Sequence, residues 1–270
     1  AVSYIEGGSA YYVHDHVSAG KKAAFIHVDY VQAGYTRRLD KDCYVDFDRI
    51  FAVSDETAGV FAGVYPECQQ KLSVFHNLID TEAIRRKALL PVEKSMHEGI
   101  RLLTVGRLTP QKGFDCAVYA LKLLLEKQYM VYWYIIGEGP EYGRLTQLAR
   151  SLHVEDHFIF LGLQTNPYPY FKMADFYIHA TRYEGKSIAI QEAQVLGCAI
   201  AASDCSGNRE QIVSGIDGLL CPFSPEGIAS AVEYLIEHPQ TAAGFGKAAA
   251  QKACHFENDI HMIRDLLYSP

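Results

Sequence analysis

The sequence has no apolar run of the ~18 residues that a membrane-spanning helix requires, no block of like charges and no C-x-x-C pair. The first absence excludes a transmembrane helix. The second, with a net charge of -7, argues against nucleic acid as a partner, because phosphate backbones call for a basic face. Lys21-Lys22, Arg37-Arg38 and Arg85-Arg86-Lys87 are short and scattered, and read as solvated faces. The seven cysteines are odd in number and far apart. That pattern favours free thiols in a reducing, cytoplasmic compartment over a disulfide frame or a zinc site. His14-Asp15-His16 is a cluster of metal-ligating types, but no further ligands lie near it in sequence, so no metal is expected. Internal repeats at a solenoid period and low-complexity segments are also lacking. No signal peptide is visible. The chain opens on Ala1 rather than Met, a start compatible with a missing leader.

What is present is an ordinary globular composition, 49% hydrophobic and 21% charged over 270 residues, enough for two domains or one large one. From residue 99 onward strands and helices alternate. Apolar runs at 100–106, 131–137, 158–162, 176–180, 199–203 and 218–222 read as buried strands. Helical spacing appears at 113–127, 140–152 and 225–238, with shorter helices from about Ser187 and near 208–213. In 113–127, Phe114, Ala117, Val118, Leu121, Leu124 and Leu125 share one face. Solidly apolar strands separated by helices predict a parallel sheet covered on both sides.

The front half also reads as α/β, with strands at 2–6, 23–28, 49–53 and 72–75 and a helix capped by Ser54, whose first turn holds Asp55 and Glu56. It is short for a domain and precedes a linker at 89–99. The expected division is 1–95 for a first, incomplete domain, 96–255 for a second, and 256–270 for a C-terminal helix. The chain is expected to begin inside its first domain.

Tandem doubly wound sheets bind ligands beyond the carboxyl ends of their strands. After the strand at 100–105, "GRLTPQKG" places Arg107 and Lys112 around a tight loop that opens a helix. Two cations at a helix N-terminus suit a diphosphate; the alternative is a surface loop with two solvated bases. "GEGPEYG" at 137–143 fails as a dinucleotide fingerprint, since its third glycine position holds Tyr142. It reads instead as a turn into a helix with Pro140 at the first position, where Gly137 and Gly139 let something flat approach the backbone. In "GLQTNPYPY", Pro167 and Pro169 stiffen a turn, and the backbone around Leu163 and Gln164 is offered to the edge of a base.

"TRYEGKSIAIQEAQVLG" at 181–197 carries Glu184 in a loop and Glu192 in the second turn of a nearly apolar helix, seven residues intervening. Amides at about 186–189, those of Lys186, Ser187 and Ile188 among them, point from the helix N-terminus as a phosphate seat. Side chains lean back toward that terminus, so Glu192 reaches toward the same crevice. Acids flanking an anion seat suit a ligand with a central diphosphate and hydroxyls at both ends, a nucleotide sugar. The blander alternative is a pair of solvated acids.

These residues together resemble the group 1, or family 4, glycosyltransferases of the GT-B fold. The E-x7-E pair is Glu184 and Glu192. "VGRL…KG" at 105–113, "GEGP" at 137–140, "FLG…NPYPY" at 160–170, and Gly207, Glu210, Gly215 and Gly218-Leu219-Leu220 follow the family's order. The match is strong over about 100–240. Its NPYPY turn is most similar to enzymes that assemble bacterial capsular, exopolysaccharide or cell-wall glycans. The resemblance implies two Rossmann-like domains and a retaining, metal-independent hexosyl transfer from a nucleotide-diphosphate sugar, UDP- rather than GDP-linked. The acceptor would be a glycan or a lipid-linked saccharide, and peripheral association with the inner membrane face is compatible with the latter. No cofactor is implied. Arg107 and Lys112 would hold the diphosphate, with the amides of Lys186 to Ile188, while Glu192 binds ribose and Glu184 sits by the donor sugar. "FIHVDY" is similar to the family strand ending in a histidine near that sugar, which makes His27 the second catalytic candidate; the alternative is a histidine satisfied by local backbone. The family's final helix, which crosses back to the first domain, corresponds to 256–268.

Two departures stand out. The family's "EGFG" is Glu184-Gly185-Lys186-Ser187 here, which adds a cation beside the phosphate seat. The Gly-rich loop after the family's first strand has no counterpart. Two rival functions follow: a nucleotide-sugar-binding module with little transfer, and a GT-B sugar-nucleotide epimerase.

Overall fold

A computed structural model describes residues 1–92, 94–254 and 259–268. In chain order the strands and helices are β1 (Val2–Ser3), α1 (Gly8–His16), β2 (Ala23–Ile26), α2 (Arg37–Asp40), β3 (Arg49–Ala52), α3 (Asp55–Val64), β4 (Leu72–Val74), α4 (Thr81–Lys87), β5 (Ile100–Val105), α5 (Phe114–Glu126), β6 (Val131–Ile136), α6 (Tyr142–Ser151), β7 (Phe158–Gly162), α7 (Tyr168–Met173), β8 (Phe176–His179), α8 (Ile188–Val195), β9 (Ala199–Ser203), α9 (Ser206–Arg209), β10 (Leu219–Cys221), α10 (Pro225–Glu237), α11 (Pro239–Ala253) and α12 (Ile260–Tyr268).

Two compact units emerge. The first comprises Ala1–Leu78, Tyr183–Lys186 and the C-terminal segment that carries α12; the second comprises Ile79–Arg182 and Ser187–Phe256. The boundary falls at Leu78/Ile79, earlier than the expected residue 95. The cause is α4, whose Ile84 packs with Val195, Leu196 and Ala253 of the second unit. Residues 256–258 of the expected 256–268 helix lie outside the described residues, as does Glu93 in the expected linker.

The first unit is a four-stranded parallel sheet in the order β1-β2-β3-β4. Alternation along the strands sends Ala24, Ile26 and Ile50 to one face, where they meet Tyr30, Tyr44, Phe61 and Tyr65. Ala23, Phe25, Phe51 and Phe75 line the other face, and α12 lays Leu266, Met262 and Ile263 on it. Ser54 caps α3, its hydroxyl accepting from Thr57 N.

The second unit is a six-stranded parallel sheet in the order β10-β9-β8-β5-β6-β7. From β5 the chain winds out through β6 and β7, then returns to the other side of β5 through β8, β9 and β10. This is the doubly wound Rossmann order, with its switch point between β5 and β8. Helices cover both faces, as the continuous apolar strands predict. α5 buries Phe114, Ala117, Val118, Leu121 and Leu124 together. Inside the sheet, Trp133 Nε1 donates to Thr104 Oγ1 at 2.9 Å, and that hydroxyl donates to Ile178 O at 2.7 Å. Two predicted elements shift. α6 begins at Tyr142, not Pro140, because the Tyr142 amide first closes a turn onto Gly139 O. The short helix near 208–213 forms earlier, at Ser206–Arg209.

Candidate active site

The switch point of the second unit gathers Arg107, Lys112, Ser187, Ile188 and Glu192. The loop leaving β5 carries Arg107, exposed, and Lys112, half-buried in a short 3-10 turn. The aliphatic stem of Lys112 folds back over Gly106, 3.7 Å from where a side chain there would begin. This loop is stitched to the chain leaving β8. Arg182 N and Thr181 Oγ1 both donate to Gln111 O, at 2.8 and 3.1 Å. The Arg182 guanidinium grips Asp115 with two hydrogen bonds and lies over the Phe223 ring. Burial by itself would raise the Asp115 carboxyl, but Arg182 holds it below its ordinary value. Gly113 sits at φ +60°, and a Cβ there would stand 2.5 Å from Ala180 O, so glycine is required where the two strand exits touch.

Helix α8 starts immediately beyond. The expectation of amides left unpaired from 186 to 189 needs one correction: Ser187 N donates to Gln211 Oε1 at 2.7 Å, and Gln211 Nε2 donates back to Ser187 O at 2.9 Å. That buried side chain clamps the helix cap and leaves the first-turn amides from Ile188 onward for an anion, since an α-helix supplies them no acceptor of its own. Gln211 is itself held by Gln194 and Lys252, both donating to its carbonyl. Sequence reading did not single out Gln211, because its role comes from folding rather than from any local motif.

Glu192 is half-buried in α8 and accepts a hydrogen bond of 3.0 Å from the Tyr168 hydroxyl. Burial raises its pKa, and the tyrosine bond pulls it partly back. The Tyr168 phenol is pushed up to about 12 by burial and by the adjacent carboxylate, so it remains a donor at neutral pH. The acid in the apolar helix is therefore held by a residue of the NPYPY turn.

A cavity of about 550 Å³ opens at the ends of β6 and β7, lined by Lys94, Gly137, Glu138, Gly139, Tyr142, Phe160, Leu161 and Gly162. It lies within the size range of small-molecule sites. Its floor is backbone. A Cβ on Gly137 would fall 2.0 Å from Gly106 O, and one on Gly139 would fall 2.4 Å from Leu108 O. Gly137 N donates to Gly162 O, and Leu108 N to Glu138 O. Leu163 is exposed just past the rim, while the Gln164 side chain turns inward to donate to Leu161 O. Lys94, Tyr142 and Phe160 were not predicted; they belong to the cavity through tertiary packing.

The other three candidates, Glu184, Lys186 and His27, occur in the first unit. Glu184 is buried. Gly185 crosses the end of β2 so closely that a Cβ would fall 2.1 Å from His27 O, and Lys186 O accepts from Asn77 Nδ2 at 3.3 Å. His27 packs against the rings of Tyr4 and Phe25, which also touch each other. Its backbone N–H donates to Glu6 Oε2 at 3.1 Å, and its Nδ1 stands 3.6 Å from the same oxygen. Glu6 also escaped the sequence reading. Elsewhere in this unit, His14 spends both ring nitrogens on Asp15 and Asp46. Among the described residues no cluster of three metal-ligating side chains converges, and none has a helix long and apolar enough to cross a membrane. All seven cysteines are free thiols.

The family model for glycosyl transferases group 1 matches residues 86–252, more than half of the chain. The chain belongs to the group 1 glycosyltransferases. It is 28% identical over 200 residues to the N-acetylgalactosamine-N,N'-diacetylbacillosaminyl-diphospho-undecaprenol 4-alpha-N-acetylgalactosaminyltransferase of Campylobacter jejuni, a match covering 73% of this chain and 53% of that protein. It is 26% identical over 242 residues to D-inositol 3-phosphate glycosyltransferase 2 of Catenulispora acidiphila, covering 82% and 55% respectively. The chain spans about half the length of the curated relatives it matches. Among solved structures, Anabaena Alr3699/HepE in complex with UDP and glucose superposes with a TM-score of 0.78 at 18% identity, over 93% of this chain and 72% of that one. A glycosyltransferase from Rickettsia africae gives 0.78 at 19%, over 97% and 74%. At such identities the likeness establishes the fold, and this group 1 chain is of the GT-B class with two parallel α/β sheets.

Proposed function

We propose that the chain is the donor-binding part, with a portion of the acceptor side, of a retaining glycosyltransferase. It moves a hexose-type sugar from a nucleotide diphosphate, UDP-linked in preference to GDP-linked, onto a glycan or lipid-linked acceptor. The observation that carries this reading is the second unit's switch point, where the Arg107/Lys112 loop is tied through Gln111 to the chain that enters α8. Family membership supports the reaction class. The neighbour solved with UDP and glucose supports the donor, and the undecaprenol-linked activity of the Campylobacter relative supports the acceptor class.

In this reading the diphosphate lies against Arg107, Lys112 and the first-turn amides of α8. These groups stabilise the charge that develops on the departing phosphate. Glu192 accepts from ribose hydroxyls, and the base occupies the cavity at Gly137. Glu184 accepts from a hydroxyl of the transferred sugar, and His27 contacts the same sugar. No nucleophile forming a covalent intermediate is invoked. The leaving oxygen takes the acceptor's proton on the face from which it departs, so the enzyme supplies position and charge.

The deciding experiment is the combined Arg107→Ala/Lys112→Ala variant of the full-length parent. Turnover is expected to fall about a thousandfold, in line with loss of a preorganised oxyanion-stabilising contact; unchanged turnover rejects the reading. Titration with a panel of nucleotide sugars names the donor. Binding without transfer points to the binding module, and a converted sugar nucleotide without acceptor points to the epimerase.

A further inference from the structure

We propose that Glu6 is a positioning residue that fixes the tautomer of His27, so that the histidine meets its ligand as a hydrogen-bond acceptor through Nε2. The inference rests on the reading that His27 contacts the transferred sugar, and it adds a residue that no family motif quoted above contains.

The placement starts from the sheet edge. β1 pairs with β2 so that Val2 lies opposite Ala23 and Ser3 opposite Ala24. Beyond Ser3 the chain leaves the sheet and bends at Ile5 and Glu6, and the bend sets the Glu6 carboxylate against His27. Gly7 then turns the chain away at φ +75°, close against the Tyr35 ring, and its N–H is held by the Tyr44 hydroxyl. This locked turn delivers the carboxylate to a place where it is 7% exposed. Among the described residues, no lysine or arginine ion pair neutralises it. What it meets is His27, through the backbone N–H at 3.1 Å and the ring Nδ1 at 3.6 Å.

A buried carboxylate needs donors around it. The His27 Nδ1 atom is buried and has no hydrogen-bond partner, and 3.6 Å is too long for a bond already formed. The two tautomers nevertheless differ sharply in energy. With the proton on Nδ1, an N–H dipole points at the carboxylate, and a small ring rotation closes the gap. With the proton on Nε2, the Nδ1 lone pair faces a negative oxygen in a poorly hydrated space. The first arrangement wins, and it leaves a lone pair on Nε2. The ring is a quarter exposed, and because Nδ1 is the buried edge, the open edge is the one bearing Nε2. A hydroxyl arriving there donates to His27. Bound sugar also restricts the ring and brings Nδ1 within hydrogen-bond reach of Glu6, as active-site contacts tighten on binding.

The test has a structural arm and a kinetic arm. Imidazole 15N shifts of the wild-type chain, with the His27 signals assigned by their loss in His27→Ala, should show a protonated Nδ1 and a bare Nε2. Because the oxygen near Nδ1 also accepts from the His27 backbone N–H, a glutamine would keep its amide oxygen there, so the informative variant is Glu6→Ala, in which the preference for a protonated Nδ1 should be lost. An Nε2-protonated wild type, or a Glu6→Ala spectrum with the same tautomer preference as wild type, overturns the proposal. This arm needs no substrate, so it stands whether or not transfer is found, and the wild-type measurement alone decides if the variant fails to fold. In the full-length enzyme, Glu6→Ala should lower kcat roughly tenfold to hundredfold, by analogy with losing the partner that orients a metal-bound imidazole, with donor KM little changed. Glu6→Ala should add nothing to His27→Ala; additive losses overturn the coupling. Absence of turnover in wild type with every donor would instead fault the functional reading and leave the tautomer result intact.

Discussion

Glu192 and Tyr168 offer a prediction in which stability and binding move in opposite directions. The carboxylate is raised above its ordinary value of 4.5, chiefly by burial. The unfolded chain therefore gives up this proton at lower pH than the folded chain does. Below the ordinary range both states are protonated and Glu192 is neutral toward stability. As pH climbs through the unfolded and then the folded pKa, stability falls, and the deficit is complete above the folded value. Glu192→Gln removes that deficit and keeps an oxygen for the Tyr168 hydroxyl to donate to. Its melting temperature should equal wild type near pH 4 and exceed it by neutral pH. Tyr168→Phe does the opposite, leaving the charge in place without its bond of 3.0 Å. A hydrogen bond to a charged group contributes ~1.5–3 kcal/mol, and Glu192 keeps some water, so the lower end applies. About 1.5 kcal/mol corresponds to a loss of roughly 3–6 °C for a unit of this size. Thermal denaturation of the three proteins from pH 4 to 8, with calorimetric titration of UDP, reads all of this at once. Glu192→Gln should weaken UDP about tenfold to hundredfold, the equivalent of one charge-assisted bond to ribose. If Glu192→Gln melts below wild type by the same margin at every pH, the carboxylate is not desolvated and the reasoning fails. Undiminished UDP affinity refutes the ribose assignment.

Two further tests concern the scaffold. Thr104→Val should orphan the buried indole N–H of Trp133 and cost about 1–3 kcal/mol, seen as a lower denaturation midpoint with an unchanged slope; an unaltered midpoint would show that Trp133 finds another acceptor. Thiol labelling of the native chain should modify exposed Cys254 first and half-buried Cys205 more slowly. Buried Cys43, Cys198 and Cys221, each raised by burial to about 12, should react only on unfolding, and prompt modification of any of them contradicts the packing described.

The strands of the second unit were legible because parallel strands covered on both faces are continuous apolar runs bounded by glycine. "AIAAS" at 199–203 coincides with β9, and the others end within a residue or so of expectation. In the first unit 49–53 and 72–75 likewise match β3 and β4 to within a residue, while 23–28 is cut back to Ala23–Ile26. The run at 2–6 pairs over just Val2–Ser3, and the remainder bends to bring Glu6 to His27. Helix α11 left no usable pattern because its buried face is built from Ala242, Phe245, Gly246, Ala249 and Ala253. A Cβ on Gly246 would stand 2.2 Å from Gly197 O, so that face selects for smallness rather than hydrophobicity. At the site, the chemistry-bearing residues could be named from local motifs; of the groups that hold them, Tyr168 sits in the NPYPY turn, whereas Gln211 and Glu6 belong to no motif. Tyr168, Gln211 and Glu6 lie 24, 24 and 21 positions from Glu192, Ser187 and His27, and only the sheet order brings each pair together.

The cavity at the ends of β6 and β7 has a floor of main-chain atoms, where Gly137 and Gly139 ride on Gly106 and Leu108. Evolution can scarcely redraw such a surface by point mutation, since any side chain added at those positions collides with the neighbouring loop. On the proposal that the base of the donor lies in this cavity, selectivity among bases is written in the margin, at Lys94, Tyr142 and the nearby Leu163. An engineer seeking a different leaving group should randomise those three positions and leave the glycines alone.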